Sequence, residues 1–248
     1  VTGSLIVVGT GPGKVELMTP ATKAAIAGAT DLVGYGPYLD RVPVCANQQR
    51  HASDNRVELE RARLALSLAA AGRQVVVVSG GDPGVFAMAA AVFEAIEVGD
   101  PAWCDLDIRI EPGVTAMLAA AAEVGAPLGG DFCAISLSDN LKSWTTVERR
   151  LKAAAEADFV IALYNPASKA RPHQLGRAFA LLATCKSPDT PVLFVRAAGS
   201  AEAKVVVATL GSADPAIADM RTLVIVGAST TRRVGRWIYT PRREGARA

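Results

Sequence analysis

Gln74-Val-Val-Val-Val-Ser79, followed at once by Gly80-Gly81-Asp82-Pro83-Gly84-Val85-Phe86, decides how the rest of the chain reads. Four consecutive valines with no polar alternation describe a strand buried on both faces, as in a parallel sheet. The strand exits into two glycines, an acid and a Pro-Gly pair just ahead of a helical stretch. Backbone amides and carbonyls stand exposed there, and glycine lets a ligand come close. An N-cap Asp followed by Pro in the first helical turn also explains the segment by itself.

The same grammar recurs at Gly9-Thr10-Gly11-Pro12-Gly13, at Glu111-Pro112-Gly113-Val114-Thr115-Ala116 and at Leu163-Tyr164-Asn165-Pro166. Each block falls where an apolar run stops, so together they describe a site assembled from several strand ends. Working outward, Ser4–Val8 and Asp31–Tyr35 read as strands, with a helix between them opening at Thr19-Pro20. Ser53 or Asp54 is expected to cap a long helix ending at Gly72. A helix over Val85–Val98, a strand over Leu106–Glu111 and a helix over Val114–Val124 follow. Strands alternating with helices predict an α/β fold with a largely parallel first sheet. Gly125-Ala-Pro-Leu-Gly-Gly130 reads as a linker, which divides the chain into an N-terminal α/β domain over 1–127 and a C-terminal one over 128–248. The second half reads as strand Phe132–Leu137, helix Trp144–Glu156, strand Asp158–Tyr164, helix Pro172–Thr184, then strands Val192–Arg196, Lys204–Leu210 and Thr222–Val226. Three late strands with little helix between them predict a mixed sheet.

The chain has 248 residues, half of them apolar, and a net charge of +2. Nearly balanced charge gives no electrostatic case for nucleic acid. The basic run Arg232, Arg233, Arg236, Arg242, Arg243 and Arg247 reads as a solvated tail or as a hold on an anionic ligand. Cys45, Cys104, Cys133 and Cys185 stand far apart, and the histidines are His51 and His173, so no metal site is expected. Unpaired cysteines suit a reducing compartment. The run Leu5–Val8 is too short for a signal peptide or a membrane span, so the expectation is a cytoplasmic protein without a membrane partner.

Gly9-x-Gly-x-Gly13 invites a dinucleotide reading. A dinucleotide fingerprint needs the helix to begin inside the motif and an acid at the end of the second strand. Here Pro12 sits in the motif, the helix waits until Pro20, and the second strand ends in Tyr35. A wall of some other ligand cleft, or a structural turn, fits better.

Taken in order, the blocks resemble those of the tetrapyrrole methyltransferases of the cobalamin and sirohaem pathways, over essentially the whole chain. Tyr35-Gly-Pro-Tyr38, Asp131–Asp139, Tyr164–Arg171 and Val224–Arg232 are similar to the branch of precorrin-3B C17-methyltransferases. The resemblance implies two α/β domains with S-adenosylmethionine in a cleft between them. It implies cofactor contacts from Pro12, Gly80, Gly81, Asp82, Val85, Thr115, Ala116, Tyr164 and Ala198. It also implies methylation of precorrin-3B at C17, contraction of the ring to precorrin-4, and a homodimer. Where such proteins often carry Asn, this chain has Ala197 and Ala228, which removes a polar side chain at each.

Methyl transfer from a sulfonium is a displacement at carbon, so orientation of the two partners dominates. Ring contraction moves protons, and Asp82, Tyr35, Lys169, Tyr38, Asp139 and His51 are acid–base candidates by position, of which Asp82, Tyr35 and Lys169 are taken as catalytic. The many carboxylates of a tetrapyrrole call for cations: Lys169 and Arg171 are expected at the substrate, with Arg41, Arg50, Lys142 and Arg196 as further candidates, and Tyr38 is expected to line the same site. The competing readings are the cobalt-factor III enzyme of the anaerobic route, another precorrin or diphthine-type methyltransferase, a tetrapyrrole carrier, and a dinucleotide oxidoreductase.

Overall fold

A computed structural model describes residues 3–54, 57–168 and 170–243. The chain divides into two compact units, Val1–Ala116 and Met117–Ala248.

The first unit contains β1 (Ser4–Gly9), α1 (Pro20–Gly28), β2 (Asp31–Tyr35), α2 (Gly36–Leu39), β3 (Gln49–Ser53), α3 (Glu58–Ala70), β4 (Gln74–Ser79), α4 (Met88–Glu97) and β5 (Asp107–Glu111). Its sheet has the order β3-β2-β4-β1-β5 and is parallel throughout. Every loop that follows a strand therefore leaves from the same edge. Alternate valines explain the valine run. Val75 and Val77 pack with Ala62, Leu66 and Val92 of α3 and α4 on one face; Val76 and Val78 pack with Ile26 and Leu39 on the other.

Local chemistry sets the ends of these elements. The Thr19 hydroxyl accepts from the Thr22 amide, with Pro20 opening α1. Past α3, Gly72 has φ +86°, its amide donates to Ala69, and the Arg73 amide donates to Leu68, which is a Schellman closure. The expected cap of α3 is corrected. Ser53 ends β3, and α3 begins at Glu58 without a side-chain cap. The helix expected from Val85 starts only at Met88, because Phe86 holds φ +53° and Ala87 is extended.

The second unit takes in nearly all of α5 (Ala116–Val124), then β6 (Gly125–Ala126), β7 (Phe132–Ser136), α6 (Trp144–Glu156), β8 (Val160–Tyr164), α7 (Gln174–Leu182), β9 (Pro191–Arg196), β10 (Lys204–Thr209), β11 (Thr222–Val226), β12 (Arg232–Val234) and β13 (Trp237–Tyr239). Its larger sheet runs β10-β9-β11-β8-β7 and is mixed: β7 and β8 are parallel, the other pairings antiparallel. Leu151, Leu175, Phe179 and Leu182 of α6 and α7 pack on Leu163, Phe194 and Val224 of this sheet.

The segment expected as a linker is structured. Gly125–Ala126 pairs with β13, the Thr240 amide donates to Ala126 at 3.0 Å, and the Thr240 hydroxyl donates to the Pro127 carbonyl at 2.6 Å. A Cβ on Gly125 would sit 2.6 Å from the Ile238 carbonyl oxygen, so the pairing needs glycine there. The arginine run expected as a tail forms β12 and the turn into β13 as far as Arg236, while Arg247 lies outside the described residues.

Candidate functional site

Three glycine-rich loops meet at the carboxyl edge of the first sheet. Gly11 and Gly81 exchange backbone hydrogen bonds, 3.1 Å from the Gly11 amide and 2.9 Å from the Gly81 amide. Both lie at positive φ, +74° and +65°. The third loop is pressed against them. A Cβ on Gly113 would stand 2.3 Å from the Gly81 carbonyl oxygen, and one on Gly9 would stand 2.7 Å from the Gly113 nitrogen. No side chain fits at these positions, which is why the sequence spends glycine here. The Asp82 carboxylate staples two of the loops: one oxygen accepts from the Gly84 amide at 2.8 Å, the other from the Gly113 amide at 3.0 Å. Thr22 and Thr10 close the floor by donating to the carbonyls of Gly9 and Ser79.

Tyr35 and Tyr38 rise beside this floor. Their rings meet edge to face, with centroids 5.4 Å apart. The Tyr38 ring lies directly on Gly80, where an added Cβ would come within 2.7 Å of its Cζ. Arg50, one of the expected carboxylate partners, instead donates to the backbone carbonyls of Leu39, Val42 and Pro43. Arg61 was not singled out from sequence. It is buried, and its guanidinium donates to the Ser53 hydroxyl, the Asp54 carbonyl and the Met88 sulfur. Burial pushes it below its ordinary value, with Glu58 opposing.

Within the second unit, Tyr164 is the last residue of β8 and Ala198 follows the end of β9, and the two strands run the same way. The Tyr164 hydroxyl accepts from the Met117 amide at 3.0 Å, at the start of α5. Near the other end of α5, the Glu123 carboxylate accepts from the Gly199 amide at 3.3 Å. Ala197 occupies φ +50°, a region in which Asn is far better tolerated. Asn165, also left-handed, donates to the Ser136 hydroxyl. Arg171 stands 3.8 Å from Asp139, which also accepts from the Gln174 amide group. Arg196 is paired with Asp219 at 2.7 Å. Lys142 is partly buried, which lowers its hold on its proton, and Arg150 adds to the effect.

His51 belongs elsewhere. Its Nε2 lies 2.9 Å from Asp31, at the amino end of β2 and so at the opposite edge of the sheet from the loops. Asp31 is fully buried and also accepts from Arg73 and Thr30. Burial alone would raise its carboxyl; the bonds from His51, Arg73 and Thr30 outweigh burial and hold it below its ordinary value of 3.8.

The first unit thus brings together Pro12, Gly80, Gly81, Asp82, Val85, Thr115 and Ala116, with Tyr35 and Tyr38 alongside. Lys169 lies outside the described residues. Among the described residues no cluster of His, Cys, Asp or Glu would hold a metal ion, and no helix is long and apolar enough to cross a membrane. Such a floor carries no side chain at Gly9, Gly81 or Gly113, so a ligand can approach its main chain closely.

The model of the Tetrapyrrole (Corrin/Porphyrin) Methylases matches residues 4–214, and the chain belongs to that family. It is 59% identical over 246 residues to "Precorrin-3B C(17)-methyltransferase" from Sinorhizobium sp, covering 97% of each. It is 42% identical over 239 residues to "Probable cobalt-factor III C(17)-methyltransferase" of Salmonella typhimurium, covering 96% of this chain and 98% of the relative. The solved structure of the methyltransferase CobJ superposes with a TM-score of 0.94 at 55% identity, covering 96% of this chain and all of that one.

Proposed function

We propose that this protein is an S-adenosylmethionine-dependent C-methyltransferase that methylates precorrin-3B at C17 and takes part in contracting the ring to precorrin-4 during cobalamin biosynthesis. The observation that carries the reading is the glycine floor, where Gly9, Gly81 and Gly113 touch backbone to backbone, in a chain 59% identical to a relative named for that reaction. The cobalt-factor III relative stands further off, at 42%.

When bound, the donor supplies a methyl group on an electrophilic sulfonium. The floor's task is alignment, and holding two reactants in line contributes about 7 kcal/mol or more. Pro12, Gly80, Gly81, Val85, Thr115 and Ala116 would border the donor, with Tyr164 and Ala198 from the second unit. Asp82 supports them through two backbone bonds, which leaves it an acceptor in the loop it staples. A reduced tetrapyrrole has electron-rich carbons, so methyl transfer needs no strong base. Proton movements of contraction fall to Tyr35, Asp82 or Lys169 in this reading. Tyr38, Lys169 and Arg171 would meet the tetrapyrrole. The protein is further proposed to work in the cytoplasm as a homodimer.

Incubation with precorrin-3B and methyl-labelled S-adenosylmethionine, followed by mass spectrometry of the pigment, tests this. One label per pigment and a C17-methylated, contracted product are expected. Stoichiometric pigment binding without label would make the protein a carrier, and transfer to cobalt-factor III in preference would move it to the anaerobic route.

A further inference from the structure

Arg41 and Arg50 flank the loop after α2, and the structure uses them in opposite ways. Arg50 is committed to backbone. Its Nη1 donates to the Leu39 carbonyl at 2.8 Å, and its Nη2 to those of Val42 and Pro43 at 2.8 and 2.6 Å. The Leu39 carbonyl ends a helix of 4 residues and also accepts from the Val42 amide, and the Val42 and Pro43 carbonyls lie in the turn after it. The guanidinium therefore locks the segment that carries Tyr38 and Arg41. Tyr38 is pinned against Gly80, and the Arg41 guanidinium carbon lies over the Tyr38 ring, 5.6 Å from its centroid. Arg41 is exposed, and among the described residues its contact is with the Tyr38 ring rather than with a carboxylate. Arg61, by contrast, is buried among neutral partners, and Arg196 is already paired.

An arginine held over an aromatic ring by a cation–π contact still has N–H donors to offer a planar anion, and a carboxylate matches the fork of that guanidinium. We propose that Arg41 anchors a carboxylate of the tetrapyrrole beside the Gly80–Gly84 loop, and that Arg50 is the positioning residue that holds the anchor in place. The assignment rests on the reading of a tetrapyrrole acceptor and adds to it a particular contact and its support.

Steady-state kinetics with precorrin-3B, calorimetric binding of S-adenosylhomocysteine, and pigment binding read from visible absorbance form the test. Arg41→Gln is expected to raise KM and the pigment Kd by about 10- to 100-fold, the range of one charge-assisted bond. The value of kcat should stay nearly unchanged, because a contact made equally in ground and transition states moves KM alone. Affinity for S-adenosylhomocysteine should hold, and Arg41→Lys should recover part of the loss. Arg50→Met should reproduce the KM rise, and adding Arg41→Gln to it should cost little more, because the anchor is already displaced. If Arg50→Met does not fold, Arg50→Lys takes its place, since an ammonium does not span the three carbonyls. Unchanged pigment affinity in Arg41→Gln overturns the anchor; independent, multiplying losses overturn the positioning role. Pigment binding reports on Arg41 even where no methyl is transferred, so failure of the anchor and failure of the proposed reaction are told apart.

Discussion

Where β1 and β4 end, Gly9, Gly81 and Gly113 touch through their main chains, with no side chain between them. Where β2 and β4 begin, Asp31 is buried and gathers Arg73, His51 and Thr30 around both of its oxygens. One end of the same sheet is closed by charge, the other is held open by the absence of side chains. The closed end should carry stability, and the glycine end should carry binding. A buried carboxylate is costly to strand, whereas a glycine floor is useful only while nothing fills it.

Removing the carboxylate should have the largest effect on folding. Asp31→Ala removes the bonds from His51, Arg73 and Thr30, while water can reach the half-exposed Arg73, and it is expected to lower the unfolding free energy by about 3 kcal/mol in urea titrations. Affinity for S-adenosylhomocysteine, measured well below the melting temperature, should be preserved; a matching loss of affinity would erase the distinction between the two ends. Acid titration probes the same group without mutation. Asp31 has a depressed folded value, so its contribution is present above 3.8 and is lost as pH falls through the folded value. Urea midpoints of wild type and Asp31→Ala should therefore converge in strong acid, and a constant gap would show that the charge is not what matters.

Gly113→Ala addresses the open end. Its Cβ would meet the Gly81 carbonyl oxygen at 2.3 Å, so the loops must part. The stability loss should be about 1–3 kcal/mol. Turnover should fall on the order of 100-fold, as expected for a misplacement near 1 Å. A variant with normal turnover would mean that the contact is incidental. Gly28→Ala is the small control. Gly28 closes α1 with nothing within 4 Å of an added Cβ, and alanine should stabilise by about 0.5–1 kcal/mol with no change in kinetics. Destabilisation there would show that glycine is required beyond the floor.

The sequence was most legible where burial or glycine dominates. The valine run of β4 declared a central strand because both of its faces are covered, and the loops were readable because Gly and Pro mark where backbone must turn or touch. β3 escaped notice because Gln49-Arg-His-Ala-Ser53 is a polar edge strand, paired on one side to β2. The Arg232–Tyr239 hairpin escaped for a similar reason: three arginines hid a pairing that depends on Gly235 at φ +58° and on backbone bonds to Gly125–Ala126. Of the site, the glycine loops were visible. The roles of Arg50 and Arg61 were not, since the carbonyls and hydroxyl they engage are brought to them by the fold and no residue type announces them.

A crystal grown with S-adenosylhomocysteine bears most directly on the central claim. The ligand should lie against residues 80–86, with Gly81 and the Gly113–Thr115 turn in van der Waals contact and main-chain groups of these loops making its hydrogen bonds. A nucleoside seated away from the glycine floor, with Gly81 and Gly113 untouched, would contradict it.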